Sequence, residues 1–307
     1  MMSLQQYIMS STEEQAADVC ASCGVKDDVD NVNLKKCTGC DGLVKYCSVG
    51  CQKNHWPQHK KACKKRAAEI RDDRLFRQPE DSHLGECPIC FLPLPLDAMK
   101  YTMKSCCSKY ICLGCFYAHT VRQEELSLEP SCPFCREPQP NSQEEAEKAN
   151  RKRAKANDPI ALLQVGKKCH DEGDYEGAFQ HWKKAAELGD MSAHYQLSYL
   201  YYEGMGVEMD RKKEIYHTEE AAIGGHVKAR YKLGNDEATN GNIQRAMKHW
   251  IIAANLGYKA ALEEVKQGFR RGVVSKEDFE AALRGHQAAV DATKSEKREE
   301  AYAFYEV

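Results

Sequence analysis

Residues 104–115 read KSCCSKYICLGC. Two cysteines, Cys106 and Cys107, stand side by side, and a C-x2-C pair follows at Cys112 and Cys115. On an extended strand, adjacent side chains point to opposite faces. The pair is therefore a disulfide, a metal-ligand pair or a reactive thiol site, and the choice decides the fold of the front half of the chain.

The surrounding composition narrows that choice. The 307 residues carry a net charge of −2, enough length for about two or three domains and no basic field that would point to nucleic acid as a partner. The start, MMSLQQYIMSSTEEQ, has no charged segment followed by an apolar run, which argues against a secretory signal, and no apolar stretch is long enough for a bilayer. The expectation is an intracellular protein, cytoplasmic or nuclear, with no membrane partner. Sixteen cysteines in a reducing compartment read as metal ligands before disulfides. Fifteen lie between Cys20 and Cys135, and only Cys169 lies beyond.

Those fifteen fall into two clusters. The first is C-x2-C-x13-C-x2-C-x6-C-x3-C-x7-H-x3-C, formed by Cys20, Cys23, Cys37, Cys40, Cys47, Cys51, His59 and Cys63. Closed structural zinc sites take four ligands, so eight ligands fit two ions. His59 and Cys63 are spaced i, i+4 and so share one helix face. A segment this short buries too little apolar area to fold alone, and zinc would supply the missing free energy. The second cluster is Cys87, Cys90, Cys106, Cys107, Cys112, Cys115, Cys132 and Cys135, again eight ligands. A disulfide between Cys106 and Cys107 leaves it two ligands short, and a free nucleophile leaves it one short. Four zinc ions use every cysteine except Cys169.

YCSVGCQKNHWPQHKKAC closely resembles the end of a MYND zinc finger, and all eight ligand positions of residues 20–63 match. The resemblance implies a cross-braced pairing, with Cys20, Cys23, Cys47 and Cys51 on one ion and Cys37, Cys40, His59 and Cys63 on the other. It also implies proline-containing peptides as partners. His55 is the competing histidine and reads as a helix-surface residue. CPIC, ICLGC and SCPFCREP resemble a RING finger over residues 87–138, in an all-cysteine variant. That resemblance implies Cys87, Cys90, Cys112 and Cys115 on one zinc and Cys106, Cys107, Cys132 and Cys135 on the other, with His119 or His83 as substitutes should Cys106 fail to reach. RING ligases act by holding a charged ubiquitin-conjugating enzyme in a reactive pose, which is catalysis by orientation. The contact candidates here are Ile89, Pro133 and Arg136, with the aromatic helix start FYAH following the sixth ligand, Cys115. Arginine suits that task because its planar fork bridges two partners. The competing reading makes Ile89 and Pro133 shapers of the knuckles and Arg136 a solvated charge.

From Asp158 the chain becomes alanine-rich and helical. HWKKAAELGDMSA (181–193), HTEEAAIGGHVKA (217–229) and HWIIAANLGYKAA (249–261) recur at offsets of 36 and 32 residues, a period that means stacked helix pairs. Gly189, Gly225 and Gly257 are expected to end one helix of each unit. The units resemble Sel-like repeats, relatives of the tetratricopeptide repeat, which implies a concave surface for a protein partner. His181, His217, His249, Trp182 and Trp250 read as repeat packing, and Cys169 as a small buried residue. SKED (275–278) opens a last helix with a capping box. The expected fold class is two small zinc-stabilised, cross-braced α+β fingers followed by an all-α helical-repeat solenoid. The divisions are a disordered N-terminus at 1–19, the MYND-type finger at 20–63, a helical connector at 64–86, the RING-type finger at 87–138, a charged linker at 139–157, repeats at 158–290 and a frayed tail at 291–307. KKACKKR (60–66) and RKRAK (151–155) read as solvated basic runs, and FLPLPL (91–96) as a finger loop. The function expected is a RING-type ubiquitin ligase whose repeats and MYND finger recruit protein substrates. The alternative is a non-enzymatic zinc-dependent scaffold. A nucleic-acid-binding role and a methyltransferase with a MYND insert are disfavoured by the absence of their motifs.

Overall fold

The computed structural model describes residues 19–27 and 33–306. The expected disordered N-terminus lies outside the described residues, apart from Val19. The chain divides into two compact units between Arg77 and Gln78.

In the first unit, the strands β1 (Lys35–Lys36) and β2 (Lys45–Tyr46) form an antiparallel ribbon. Helix α1 (Val49–Leu75) follows. Ser48 starts it by accepting a hydrogen bond from the Cys51 N–H at 3.1 Å, which satisfies one of the helix's orphan donors. The core is Cys20, Leu34, Cys37, Cys40, Tyr46 and Cys63, four cysteines among six residues. That is too little hydrocarbon to support a fold without metal. Beyond Cys63 the helix carries exposed Lys65–Glu69 and Arg66–Glu69 pairs, the kind of spacing that keeps a solvated helix together.

The second unit opens with a cysteine module. Strands β3 (Tyr101–Lys104) and β4 (Lys109–Cys112) pair as a hairpin, and helix α2 (Leu113–Glu125) leaves directly from β4. Its core is Cys87, Leu94, Ile111, Cys112 and Cys132. Helix α3 (Gln143–Lys155) comes next, capped by Ser142. The array continues with α4 (Pro159–Asp171), α5 (Tyr175–Glu187), α6 (Met191–Glu203), α7 (Arg211–Ile223), α8 (Val227–Thr239), α9 (Ile243–Asn255), α10 (Lys259–Arg270) and α11 (Lys276–Ala292). From α3 to α11 each helix packs on the next. Asp158 caps α4 with Pro159 as its first helical residue, and Ser275 caps α11 through the Asp278 N–H at 3.0 Å. Gly189, Gly225 and Gly257 have φ of +88°, +83° and +87°, a conformation in which a Cβ is strained.

Among the described residues, one core of the array gathers around Trp182 and another around Trp250. Each tryptophan lies against a glycine sixteen residues earlier. A Cβ on Gly166 would come within 2.5 Å of Trp182, and one on Gly234 within 2.4 Å of Trp250. Each indole N–H is also used: Trp182 donates to the Leu163 carbonyl at 3.1 Å, and Trp250 to Asn235 Oδ1 at 3.2 Å.

Two sequence expectations need correction. The frayed tail at 291–307 is a helix, α12 (Glu296–Tyr305), capped by Ser295 and packed on α2. Its weak hydrophobic pattern hid a tertiary anchor, Arg298, which is 1 % exposed. Secondly, RKRAK is not simply a solvated run, because Arg153 is tied into the cysteine module.

Candidate metal centres

Among the described residues four ligand sets assemble, and within each the donor atoms lie within 4.8 Å of one another. In the first unit they are Cys20, Cys23, Cys47, Cys51 and Cys37, Cys40, His59, Cys63. In the second they are Cys87, Cys90, Cys112, Cys115 and Cys106, Cys107, Cys132, Cys135. The two sets of each module interleave along the chain, so closing either one fixes the loops that carry the other. Thiolate and imidazole donors in fours suit tetrahedral zinc. The donor sets fit four zinc ions, which when bound supply folding free energy and fix the loops.

Local backbone explains why four of the five C-x2-C pairs converge; the fifth, Cys112 and Cys115, is held by the start of α2, where Cys112 Sγ accepts from the Cys115 N–H at 3.4 Å. Gly24, Asp41, Phe91 and Arg136, each directly after a second cysteine, have φ of +75°, +50°, +56° and +66°. The left-handed residue turns the chain back so that both sulfurs face one point. In the second module the turns are locked by Cys87 N–H to Leu92 O at 3.0 Å and Cys132 N–H to Glu137 O at 2.8 Å. The adjacent pair needs a different device. Cys106 and Cys107 occupy the tight turn of the β3–β4 hairpin, where the Cys107 and Ser108 N–H groups both donate to the Lys104 carbonyl. The turn frees them from strand alternation, and Cys106 reaches Cys135 at 3.4 Å while Cys107 reaches Cys132 at 3.9 Å.

The histidines sort cleanly. His59 Nε2 lies 3.4 Å from Cys40 Sγ. His55 stays outside the set, stacked on His59 with its Nδ1 3.0 Å from the Tyr46 hydroxyl. His119 lies 3.3 Å from Arg136 and 3.4 Å from Ser131. His83 packs against His226, ring centroids 4.1 Å apart and tilted by 44°. Neither joins a ligand set. His217 pairs with His194 Nδ1 to Nδ1 at 3.0 Å, and His249 is buried beside Arg230. The repeat histidines do not form a metal row among the described residues.

Thiol acidities diverge within each set. Burial pushes the Cys20 thiol up, but backbone N–H groups of Cys47, Cys23 and Ser22 outweigh it and bring it to about 6. Burial and the neighbouring Cys37 push Cys63 to about 11. Burial and the charge of Cys132 push Cys107 to about 11. Cys87 is held well below the thiol range by hydrogen bonds from Cys112 and Cys115. Bare thiolates this close repel, and a divalent cation removes that conflict while displacing the remaining protons.

Two arginines that the sequence pattern did not mark complete the second module. Arg298 of α12 donates to the Pro93 and Thr293 carbonyls at 2.7 Å each, to Leu92 O at 3.1 Å, and lies 3.4 Å from Cys90 Sγ. Arg153 donates to Ser108 Oγ at 2.8 Å and Cys106 O at 3.3 Å, and is itself held by Asp158 at 2.6 Å. A four-thiolate zinc site carries a net charge of −2, so a cation beside each set offsets charge and orients the ligands. The conjugating-enzyme candidates separate: Ile89 and Arg136 are exposed and Pro133 is buried.

Comparison with known proteins places names on both ends of the chain. The MYND finger family matches residues 20–63, and the Sel1 repeat family matches residues 159–190, 192–226 and 227–258. "Putative beta-lactamase HcpC" of Helicobacter pylori (strain J99 / ATCC 700824) is 39% identical over 56 residues, 18% of this chain and 19% of that protein. A Sel1 repeat protein from Oxalobacter formigenes aligns at 24% identity with a TM-score of 0.43, covering 49% of this chain and 47% of that one. The c5321 protective antigen of uropathogenic Escherichia coli, which displays an SLR fold, aligns at 19% identity with a TM-score of 0.39, covering 55% and 36%. The chain thus spans less than half the length of each of these relatives. It carries a MYND finger and three Sel1 repeats, with a second four-by-two cysteine module between them.

Proposed function

We propose that this protein is a zinc-dependent ubiquitin ligase of RING type, in which residues 87–138 engage the charged conjugating enzyme and the Sel1 repeats, with the MYND finger, recruit protein substrates. The reading rests on a broader one, that a zinc-binding MYND finger beside Sel1 repeats makes a protein-interaction scaffold. The observation that carries the finer step is the interleaved pair of cysteine sets with apolar side chains left outward on both knuckles. Ile89, Phe91 and Phe134 are 37%, 70% and 43% exposed. Arg136, two residues after Phe134 and itself exposed, holds a left-handed conformation that costs an L-residue about 1 kcal/mol.

The test is autoubiquitination by the zinc-loaded protein with a panel of conjugating enzymes, comparing wild type with Arg136→Ala and Arg136→Gly. The reading expects chains with wild type, loss in both variants, and a melting temperature for Arg136→Gly no lower than wild type. A second reading, the scaffold without enzymatic activity, is favoured by the contact of Arg136 with His119, which gives that arginine a structural partner. Four bound zincs with no activity across the panel would establish it.

A further inference from the structure

A cavity of about 740 Å³ opens in the second unit, between the FLPLPL segment, the start of α10 and the facing side of α11. Its size lies within the range of sites that hold drug-sized ligands. One wall is Leu94, Pro95 and Leu256; the floor is made of small residues, Gly257, Gly285 and Ala288 among them. Small residues let a backbone approach closely, but alone they say nothing about a guest.

Two further features do. The first is a pair of polar side chains in the lining, Tyr302 and Asn255. The Tyr302 hydroxyl and Asn255 Oδ1 are buried and have no hydrogen-bond partner, and Tyr302 is only 7 % exposed. Buried polar groups in native proteins are nearly always paired, and leaving one unpaired is costly. The second is the charge of the rim. Glu80, Asp81, Asp97 and Glu299 border the cavity; Asp97 caps a short turn by accepting from the Met99 N–H at 3.0 Å, which leaves its charge in place. Of the three rim lysines, Lys294 is tied to Asp291 at 2.8 Å, while Lys100, over the Tyr302 ring at 4.4 Å, and Lys259 keep their charges against the four carboxylates, so the balance is two negative charges. The free charge at the mouth is negative.

We infer that this cavity binds an extended peptide segment of a partner protein, uncharged and apolar at its centre and flanked by lysine or arginine. The central side chains occupy the apolar wall. A backbone carbonyl accepts from the Tyr302 hydroxyl, a backbone N–H donates to Asn255 Oδ1, and the basic flanks meet the rim carboxylates. The site is distinct from the four ligand sets and from the exposed knuckles. It holds whether or not the second cysteine module engages a conjugating enzyme.

The probe is a set of blocked, fluorescein-labelled hexapeptides with Lys and Arg at the ends and Ala, Val, Leu or Pro varied within, titrated by anisotropy into the full zinc-loaded chain. A matched set has Glu at both ends. Members of the basic set are expected to bind at least tenfold more tightly than their acidic counterparts, and the double variant Glu80→Lys, Asp81→Lys to lose that preference. Ala288→Trp, an exposed position on α11, is expected to abolish binding by filling the floor. Tyr302→Phe is expected to weaken binding about fivefold to tenfold while leaving the melting temperature unchanged or raised, because it removes an unpaired buried hydroxyl. Equal binding of the basic and acidic sets would overturn the inference. So would wild-type binding by Tyr302→Phe and Ala288→Trp, or an apolar dye such as ANS saturating the cavity with no peptide displacing it.

Discussion

Arg298→Ala should damage a metal site that its own sequence neighbourhood does not contain. The guanidinium is 1 % exposed and serves the carbonyls of Leu92, Pro93 and Thr293 as well as the Cys90 sulfur. Truncation leaves three carbonyls without that donor, at about 1–3 kcal/mol for each one that stays buried and unpaired. Removing a buried charge returns part of this, since desolvating a guanidinium is itself unfavourable. The expected net loss is about 3 kcal/mol, in line with the breaking of a buried ionic contact. The same change frees the 90–93 loop, and loss of such a supporting contact typically weakens metal binding about 10–100-fold. The assay is zinc transfer to a chromophoric chelator under native conditions, with urea denaturation by circular dichroism alongside. One zinc in four should transfer early, and Arg298→Lys, which keeps the charge but loses the fork, should fall between. Wild-type transfer kinetics together with an unchanged urea midpoint would refute the reasoning.

Arg153→Ala removes the contacts to Ser108 and Cys106 and should release the Cys106–Cys107 zinc preferentially, at about 1.5–3 kcal/mol for the charged hydrogen bonds. A mass-spectrometric count falling from four zincs to three on mild chelation checks it. Trp250→Ala should cost about 3–5 kcal/mol in the array and leave the zinc count at four, because Trp250 packs within the helical core only. Asp190, the cap of α6, has its carboxyl raised by burial from 3.8 to about 6. The folded state thus binds its proton more tightly than the unfolded state. Its contribution is present below pH 3.8 and is lost as pH rises through 6. Asp190→Asn, which keeps a good capping residue, should therefore raise the melting temperature at pH 7.5 and leave it unchanged near pH 3.5. A pH-independent difference would show that the carboxyl is not raised.

What the sequence made legible follows from the range of the interaction. Ligand pairs such as Cys87 and Cys90 are local, their spacing being set by one turn, so the zinc sites could be read directly. The repeats announced themselves because Gly189, Gly225 and Gly257 end equivalent helices. The glycine facing each tryptophan was also there to be found, at the same separation in Gly166–Trp182 and Gly234–Trp250. Arg153 and Arg298 were not legible. Each acts across a large gap in the chain, on backbone carbonyls that carry no residue-type signal, and each sits in a charged stretch that reads as solvated. The cavity was hidden for the same reason, since FLPLPL acquires meaning only opposite α10 and α11.

The Arg298 anchor also imposes an order on biosynthesis. The loop it closes is made some two hundred residues before the arginine itself: Cys90 and Arg298 are 208 positions apart. At about 5–20 residues per second, a ribosome takes about 10–40 seconds to cover that distance. Throughout that interval the nascent cysteine module can gather metal but cannot finish its first knuckle. A message cut short anywhere in the repeats would yield a chain whose visible defect is at the far end of the array and whose chemical defect is at Cys90. Metal loss there would then be a timer-like report that translation had not run to the last helix.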